Sequence, residues 1–512
     1  MHKESVTLSA PTTIKGKNLS IAKHPETSDR ILSSALAARV MTAEAAASMI
    51  HSGMTLCTSG FGTGYPKAIP SSLAADKHAT DLTLIAGASR GEMLDGAMSK
   101  SGILKKHSAF QFNSDMRDEI NLGNVEFVDY HLSQLAGKIR KGVYGKIDFA
   151  IIECCKINAD GSIIPTLSAG ITDTIIDCAE KILLEVNLAV PTTVEGFHDF
   201  GCVSGKSVTS PGDRVGEKFL RLDLNKVMGV VITDIPDTDL FYPDVKPVFD
   251  DIANNVVALL NNEIENNRLP ASFTFQSGMG VVANCVLVGL MTKGYKNLKM
   301  YTEVLADQAL LAIKEGIISE ATTTSLDITP LGFDTLYDNV EFFKEHLVIR
   351  PLEITNGSAG IISMDLVSMN TALEADIYGN VNSSHAMGTQ MINGLGGSND
   401  FCRNAKLSIF TTPSTAKGGA ISRIVPMVSH VDSTEHDVDV IVTEYGYADL
   451  RGKSPKERVN ELIENCAHPD YRQGLHEYYE EALALCGPCQ TPHDLSKALS
   501  WHQKYLETGS MK

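Results

Sequence analysis

Leu56-Cys57-Thr58-Ser59-Gly60-Phe61-Gly62 and Phe273-Thr274-Phe275-Gln276-Ser277-Gly278-Met279-Gly280 carry one pattern twice. In each, a β-prone run enters Ser-Gly-x-Gly and a helix-like stretch follows, which is the strand, tight turn and helix of an α/β unit. The echo continues in the same order. Asp81-Leu82-Thr83-Leu84-Ile85 pairs with Asn297-Leu298-Lys299-Met300-Tyr301, and Asp148-Phe149-Ala150-Ile151-Ile152-Glu153 pairs with Asp439-Val440-Ile441-Val442-Thr443-Glu444. Three matches in order argue for an internal repeat over chance likeness between apolar strands. The reading is an α/β chain of two related open domains, joined near Leu224 to Pro236. A loose extension over 1–28, a first domain over 29–230 and a second over 231–512 complete the expected organisation.

Outside the repeat, short runs such as Val227 to Ile232 and Val438 to Val442 read as buried parallel strands. Ala43 to Ile50, Phe249 to Asn262 and Pro455 to Cys466 read as helices between them. At 512 residues the chain exceeds a single ordinary core, and 21% charged with 43% hydrophobic residues is a globular balance. Its 44 basic against 62 acidic residues leave a net charge of −18, which argues against a nucleic-acid or anionic-membrane partner. An anionic ligand must then meet a local basic pocket. The longest apolar stretch, Gly280 to Met291, is interrupted by Asn284 and is shorter than the roughly 20 residues that span a bilayer. Ten scattered cysteines suit a reducing compartment, so the cytoplasm is expected. Met1 to Ser28 lacks an apolar signal core and is poor in Arg, which leaves import into a mitochondrial-type organelle as the alternative.

Ser-Gly-x-Gly at a strand-to-helix turn offers backbone N–H groups to an anion or a developing oxyanion. Neither copy continues as Gly-Lys-Ser/Thr, and Gly278-Met279-Gly280 lacks the third glycine and the ribose acid of a dinucleotide fingerprint. Nucleotide chemistry is disfavoured. Glu303 ends the strand Leu298 to Thr302 where the first half has a glycine near Gly87, so this carboxylate belongs in the crevice beyond the strand ends. There it can serve as nucleophile or base, with a surface or capping role as the alternative. Glu444 is a second strand-end carboxylate, and Asn393-Gly394-Leu395-Gly396-Gly397 is a loop that permits close backbone approach to a ligand. Cys486-Gly487-Pro488-Cys489 follows a helical stretch instead of a strand, so it reads as a helix stop before a redox pair. His430, Asp432, Glu435 and His436 match no metal-site spacing, and no metal cofactor is expected.

Taken with Gly278 to Asn284 and Tyr301-Thr302-Glu303-Val304, the runs Glu374 to Ser383, Gly396-Gly397-Ser398-Asn399-Asp400-Phe401, Ala416-Lys417-Gly418-Gly419 and Val428 to Gly452 closely resemble the acetyl-CoA hydrolase/transferase family of class I CoA-transferases. Nearest are its succinyl-CoA:acetate CoA-transferases, and the likeness covers the chain from about Asp29 onward. The resemblance implies that Glu303 is the nucleophile, passing through an acyl-glutamyl anhydride and then a glutamyl-CoA thioester. It implies an oxyanion hole from the N–H groups near Met279 and Gly397, and an acyl site lined by Glu444 and Asn356. CoA would be held by Lys417 with Phe275, Gln276, Ser277, Gly278 and Met279, beside Gly397 and Phe401. Arg214, in Gly-Asp-Arg-Val-Gly, is the candidate for the free carboxylate of a dicarboxylate. The activity implied is ping-pong transfer of CoA from succinyl-CoA to acetate by a homodimer, with CoA as substrate and no metal or nucleotide cofactor. An acyl-CoA hydrolase shares the same residues. A non-catalytic CoA sensor would lack Glu303 or Glu444, and both are present.

Overall fold

The computed structural model describes residues 29–201, 207–237, 246–278 and 280–512; the expected 1–28 extension and Met279 lie outside them. The first Ser-Gly turn follows strand β1 (Thr55–Thr58), and its neighbours are β2 (Leu82–Ser89), β3 (Leu104–Gln111), β4 (Glu126–Phe127), β5 (Phe149–Ile157), β6 (Ile163–Pro165), β7 (Lys181–Asn187) and β8 (Val227–Thr233). They form one sheet in the order β4-β3-β2-β1-β5-β7-β8, parallel throughout except where β6 runs back along β5. The second Ser-Gly turn follows β9 (Thr274–Ser277). With β10 (Leu298–Tyr301), β11 (Ile318–Thr323), β12 (Leu347–Ile349), β13 (Val367–Thr371), β14 (Leu407–Thr411), β15 (Val440–Thr443) and β16 (Gly446–Asp449), it builds a second sheet in the order β12-β11-β10-β9-β13-β14-β15-β16. Only β16 is antiparallel. Interior strands such as β9 and β14 are buried along their whole length, as sheets covered on both faces require.

Laid over one another, the two sheet orders equate β1 with β9 and β2 with β10, as the repeat in the sequence predicts. The third match fails. β5 lies beside β1, so its counterpart is β13 beside β9, whereas the strand of Val440 to Thr443 corresponds to β8. The likeness between Asp148-Phe149 and Asp439-Val440 records a shared local device. In each, an Asp just before its strand accepts an N–H from the first two residues of the neighbouring strand: Asp148 from Thr55 at 2.9 Å, and Asp439 from Ser408 at 2.9 Å. A domain boundary at 230/231 would cut β8, which pairs with β7 through Thr233; the sheets divide after that strand.

The halves share a continuous apolar core and exchange backbone hydrogen bonds, among them Ala169 N–H to Thr324 O at 2.8 Å and Ile349 N–H to Phe197 O at 2.9 Å. Gly60 explains the first Ser-Gly turn: its φ is +97°, and a Cβ there would lie 2.8 Å from the Tyr65 backbone. The apolar stretch after β9 is the helix Val281–Thr292, and among the described residues no helix is long and apolar enough to cross a membrane. The helix Pro469–Cys486 stops at Gly487, with φ +73°, as the Cys-Gly-Pro-Cys run suggests.

Candidate active site

In the second sheet the chain leaves β9 toward β10 on one side and returns to β13 on the other, so a switch point lies between β9 and β13. A cavity of about 140 Å³ opens there, where open α/β sheets bind ligands. Its walls come from Gln276, Ser277 and Gly278 at the end of β9, Asn370 and Thr371 at the end of β13, and the loop from Asn393 to Ser398. Phe110 and Phe112 close it from the first half.

Glu303 projects into this space because its backbone is pinned on both sides. Thr302 donates its N–H to Thr322 O at 2.9 Å and its hydroxyl to Ser277 O at 3.0 Å. The Glu303 carbonyl accepts the Thr324 N–H at 3.0 Å and the Thr323 hydroxyl at 2.9 Å. Among the described residues the carboxylate itself receives one donor, Asn356 Nδ2, at 2.5 Å from Oε2. Burial pushes the Glu303 carboxyl up to about 8; the Asn356 bond opposes that rise and the nearby Asp400 charge adds to it. No cation among the described residues offsets it.

Asn356 follows the short helix Leu352–Thr355, and the Thr355 hydroxyl donates to its Oδ1 at 3.0 Å, turning Nδ2 toward Glu303. The same Nδ2 lies 3.4 Å from Asp400 Oδ2. Gly397 packs directly on the pair: a Cβ there would collide with the Glu303 carboxylate and lie 2.5 Å from Asn356 Nδ2. Its loop belongs to the second half by sequence yet is gripped by the first. Gln111 N–H reaches Asn393 O at 3.1 Å, Arg117 Nε reaches Ile392 O at 2.6 Å, and Asp129 accepts the Leu395 N–H at 2.8 Å.

Of the residues expected from sequence, Glu303, Asn356, Gly397, Gln276, Ser277, Gly278 and Phe401 meet at this site. Gln276 and Asn370 pair their side-chain amides, Nε2 to Oδ1 at 3.1 Å, which stiffens the wall. The Gly278 N–H already serves Met369 O at 2.8 Å. Phe275 does not join them, because strand alternation turns it into the core, fully buried. Glu444 is not brought to the cavity either. It ends β15, four strands from β10, a displacement of about 19 Å at the usual strand spacing. There its carboxylate accepts the Ser414 N–H at 2.8 Å and hydroxyl at 2.6 Å, bracing the hairpin that carries the exposed Lys417. Arg214 is a clamp between the halves: its guanidinium donates to the carbonyls of Phe197, Lys344 and Leu347 at 3.3, 2.8 and 3.1 Å, leaving it no reach toward a substrate carboxylate.

The reading of the sequence gave no role to Asp400, Asp129, Phe110 or Phe112. Asp400 stands inside the quoted Gly-Gly-Ser-Asn-Asp-Phe run, but its partner Ser133 is 267 residues away.

Duplicated open sheets with a carboxylate at the second switch point define an α/β enzyme of the CoA-transferase type. The chain belongs to the acetyl-CoA hydrolase/transferase family, whose N-terminal domain matches residues 27–223 and whose C-terminal domain matches 332–479. It is similar to the succinyl-CoA:acetate CoA-transferase of Clostridium kluyveri, 45% identical over 95% of this chain and 92% of that one. An acetyl-CoA hydrolase of Schizosaccharomyces pombe is 38% identical over 89% of this chain and 92% of that one. In fold it is similar to a 4-hydroxybutyrate CoA-transferase from Porphyromonas gingivalis, with a TM-score of 0.63 and 21% identity, over 87% of this chain and 98% of that one.

Proposed function

We propose that this enzyme moves CoA from succinyl-CoA to acetate through a covalent intermediate on Glu303. The observation that carries the reading is a buried carboxylate with, among the described residues, a single hydrogen-bond donor and no compensating cation, lodged against Gly397 at the switch-point cavity. Such a carboxylate is poorly solvated and therefore reactive. Its oxygen attacks the thioester carbonyl carbon, the C–S bond breaks, and CoA leaves as thiolate, giving a mixed anhydride. The thiolate then attacks the Glu303 carbonyl carbon, releasing succinate and leaving a glutamyl-CoA thioester. Acetate reverses the two steps and departs as acetyl-CoA. Thioester energy is retained throughout, so neither a nucleotide nor a metal is required.

In this reading the Gly397 N–H, with that of Met279, meets the oxyanion, and Asn356 orients the nucleophile. Gln276 to Gly278 and Phe401 line the path of the acyl thioester. Lys417 meets the CoA phosphates, on a hairpin that Glu444 steadies. The preference for succinyl-CoA and acetate rests on the likeness to the Clostridium kluyveri enzyme. Cytoplasmic residence is supported by the nine cysteines present as free thiols among the described residues, with a mitochondrial-type organelle as the alternative. A homodimer is proposed from the family resemblance.

Incubation with succinyl-CoA and no acetate should leave the protein heavier by one CoA, with the label mapping to Glu303 and lost in Glu303→Gln. Label on a cysteine or on Glu444 would overturn the assignment. Because the hydrolase of Schizosaccharomyces pombe is also similar, acetate is then titrated. Acetyl-CoA formed in proportion to acetate marks transfer, and free thiol released at one rate with or without acetate marks hydrolysis.

A further inference from the structure

The Asn356 amide that serves the nucleophile also faces a second carboxylate. Its Nδ2 lies 2.5 Å from Glu303 Oε2 and 3.4 Å from Asp400 Oδ2, while its Oδ1 is tied to the Thr355 hydroxyl. Asp400 is buried and held from the other half of the molecule: the Ser133 N–H reaches Oδ2 at 2.9 Å and the Ser133 hydroxyl reaches Oδ1 at 2.6 Å. His131 Nδ1 stands 3.7 Å from Oδ1.

We propose that Asp400 is a positioning residue for the nucleophile: anchored by Ser133 of the first half, it fixes the Asn356 amide and keeps a negative charge one side chain behind Glu303. This rests on the reading of Glu303 as nucleophile. Two carboxylates on one amide nitrogen repel each other, and the group with more donors keeps its charge. Asp400 has the two Ser133 bonds and nearby His131; among the described residues Glu303 has Asn356 alone. The ionisable groups facing Asp400 are Glu303 across the amide, His131 beside Ser133, and Cys402 on its own helix. Glu303, raised first by burial, is accordingly the partner that holds the proton, and the Asp400 charge anchored by the first half adds to that bias.

The test compares pH profiles of kcat/KM for the full-length wild-type enzyme, Asp400→Asn and Ser133→Ala. Asp400→Asn should move the midpoint of the rise with pH downward, toward an ordinary carboxylate. It should also lower kcat about ten- to a hundredfold through loss of orientation. Ser133→Ala keeps both carboxylates and should lower kcat about threefold with KM for succinyl-CoA unchanged, through the loss of one hydrogen bond. A midpoint and kcat unmoved in Asp400→Asn would overturn the proposal. Should that variant not fold, an unmoved kcat in Ser133→Ala would do so. The CoA adduct on wild-type Glu303 separates the two readings: without it the nucleophile assignment fails, whereas with it and an unmoved profile only the role of Asp400 fails.

Discussion

The two sheets share one strand order, and the buried carboxylates of the two halves have opposite fates. In the first, Glu153 in β5 accepts Lys67 Nζ at 2.6 Å, the Thr166 hydroxyl at 3.2 Å and Asn187 Nδ2 at 3.0 Å. Glu185 in β7 takes the N–H groups of Lys67, Ala68 and Ile69 at the start of the helix Ala68–Asp76, at 2.8, 3.0 and 2.7 Å. Both carboxylates are satisfied by donors inside the protein. In the second sheet Glu303 has, among the described residues, one amide and a cavity. Duplicating a fold duplicates its crevice, and the proposed chemistry belongs to the copy whose carboxylate has no counter-ion among those residues.

One substitution placed in both halves tests this most severely. Glu303→Gln should keep the fold and lose transfer by about 10⁴-fold, because an amide of the same shape cannot attack a thioester; steady-state turnover reads it once deamidation is excluded. Glu153→Gln should do the reverse. It strips Lys67 of a buried partner and should lower stability by about 3 kcal/mol, seen as a fall in the urea midpoint, with the turnover of the remaining folded enzyme preserved. Equal loss of stability in both variants would erase the distinction between the halves.

Acidity sharpens the same contrast. In the proposed mechanism the reacting form of Glu303 is the anion, and burial raises its carboxyl to about 8, so kcat/KM should rise about tenfold per pH unit below that value and level above it. The stability linkage has the opposite slope. Between the ordinary value of 4.5 and about 8 the native state holds a proton that the unfolded chain has released, so Glu303 lowers stability as pH rises through that window and no further beyond it. Glu303→Gln should therefore gain on wild type in thermal midpoint as pH is raised from 5 to 8. The smallest effect expected is at Lys417, which is exposed. Lys417→Ala should weaken CoA binding about three- to tenfold in calorimetry, and the difference should shrink as salt is added.

What the sequence disclosed follows from how far each signal reaches along the chain. β1 with β9, and β2 with β10, are legible because strand, Ser-Gly turn and spacing recur within a few tens of residues. Glu303 is legible from its place after a strand. The third pairing misled because an Asp at the head of an apolar strand caps its neighbour wherever that strand sits in the sheet. Arg214 misled because an arginine in a glycine turn satisfies carbonyls as readily as carboxylates. Asp400, Asp129 and the Phe110–Phe112 wall were out of reach, since each acts on residues more than 260 positions distant.

That separation also governs the order in which the enzyme is made. Gln111, Arg117, Asn121 and Asp129 hold the stretch from Met391 to Leu395, and Ser133 holds Asp400, across sequence gaps of 266 to 281 residues. Contacts of such high order form only after both sheets exist, since each closes a very long loop of chain. Helices and strands should therefore be regained well before turnover during refolding. A ribosome that has released the first half has made a surface that waits for its loop, and Glu303 gains its setting only when the last third of the chain arrives.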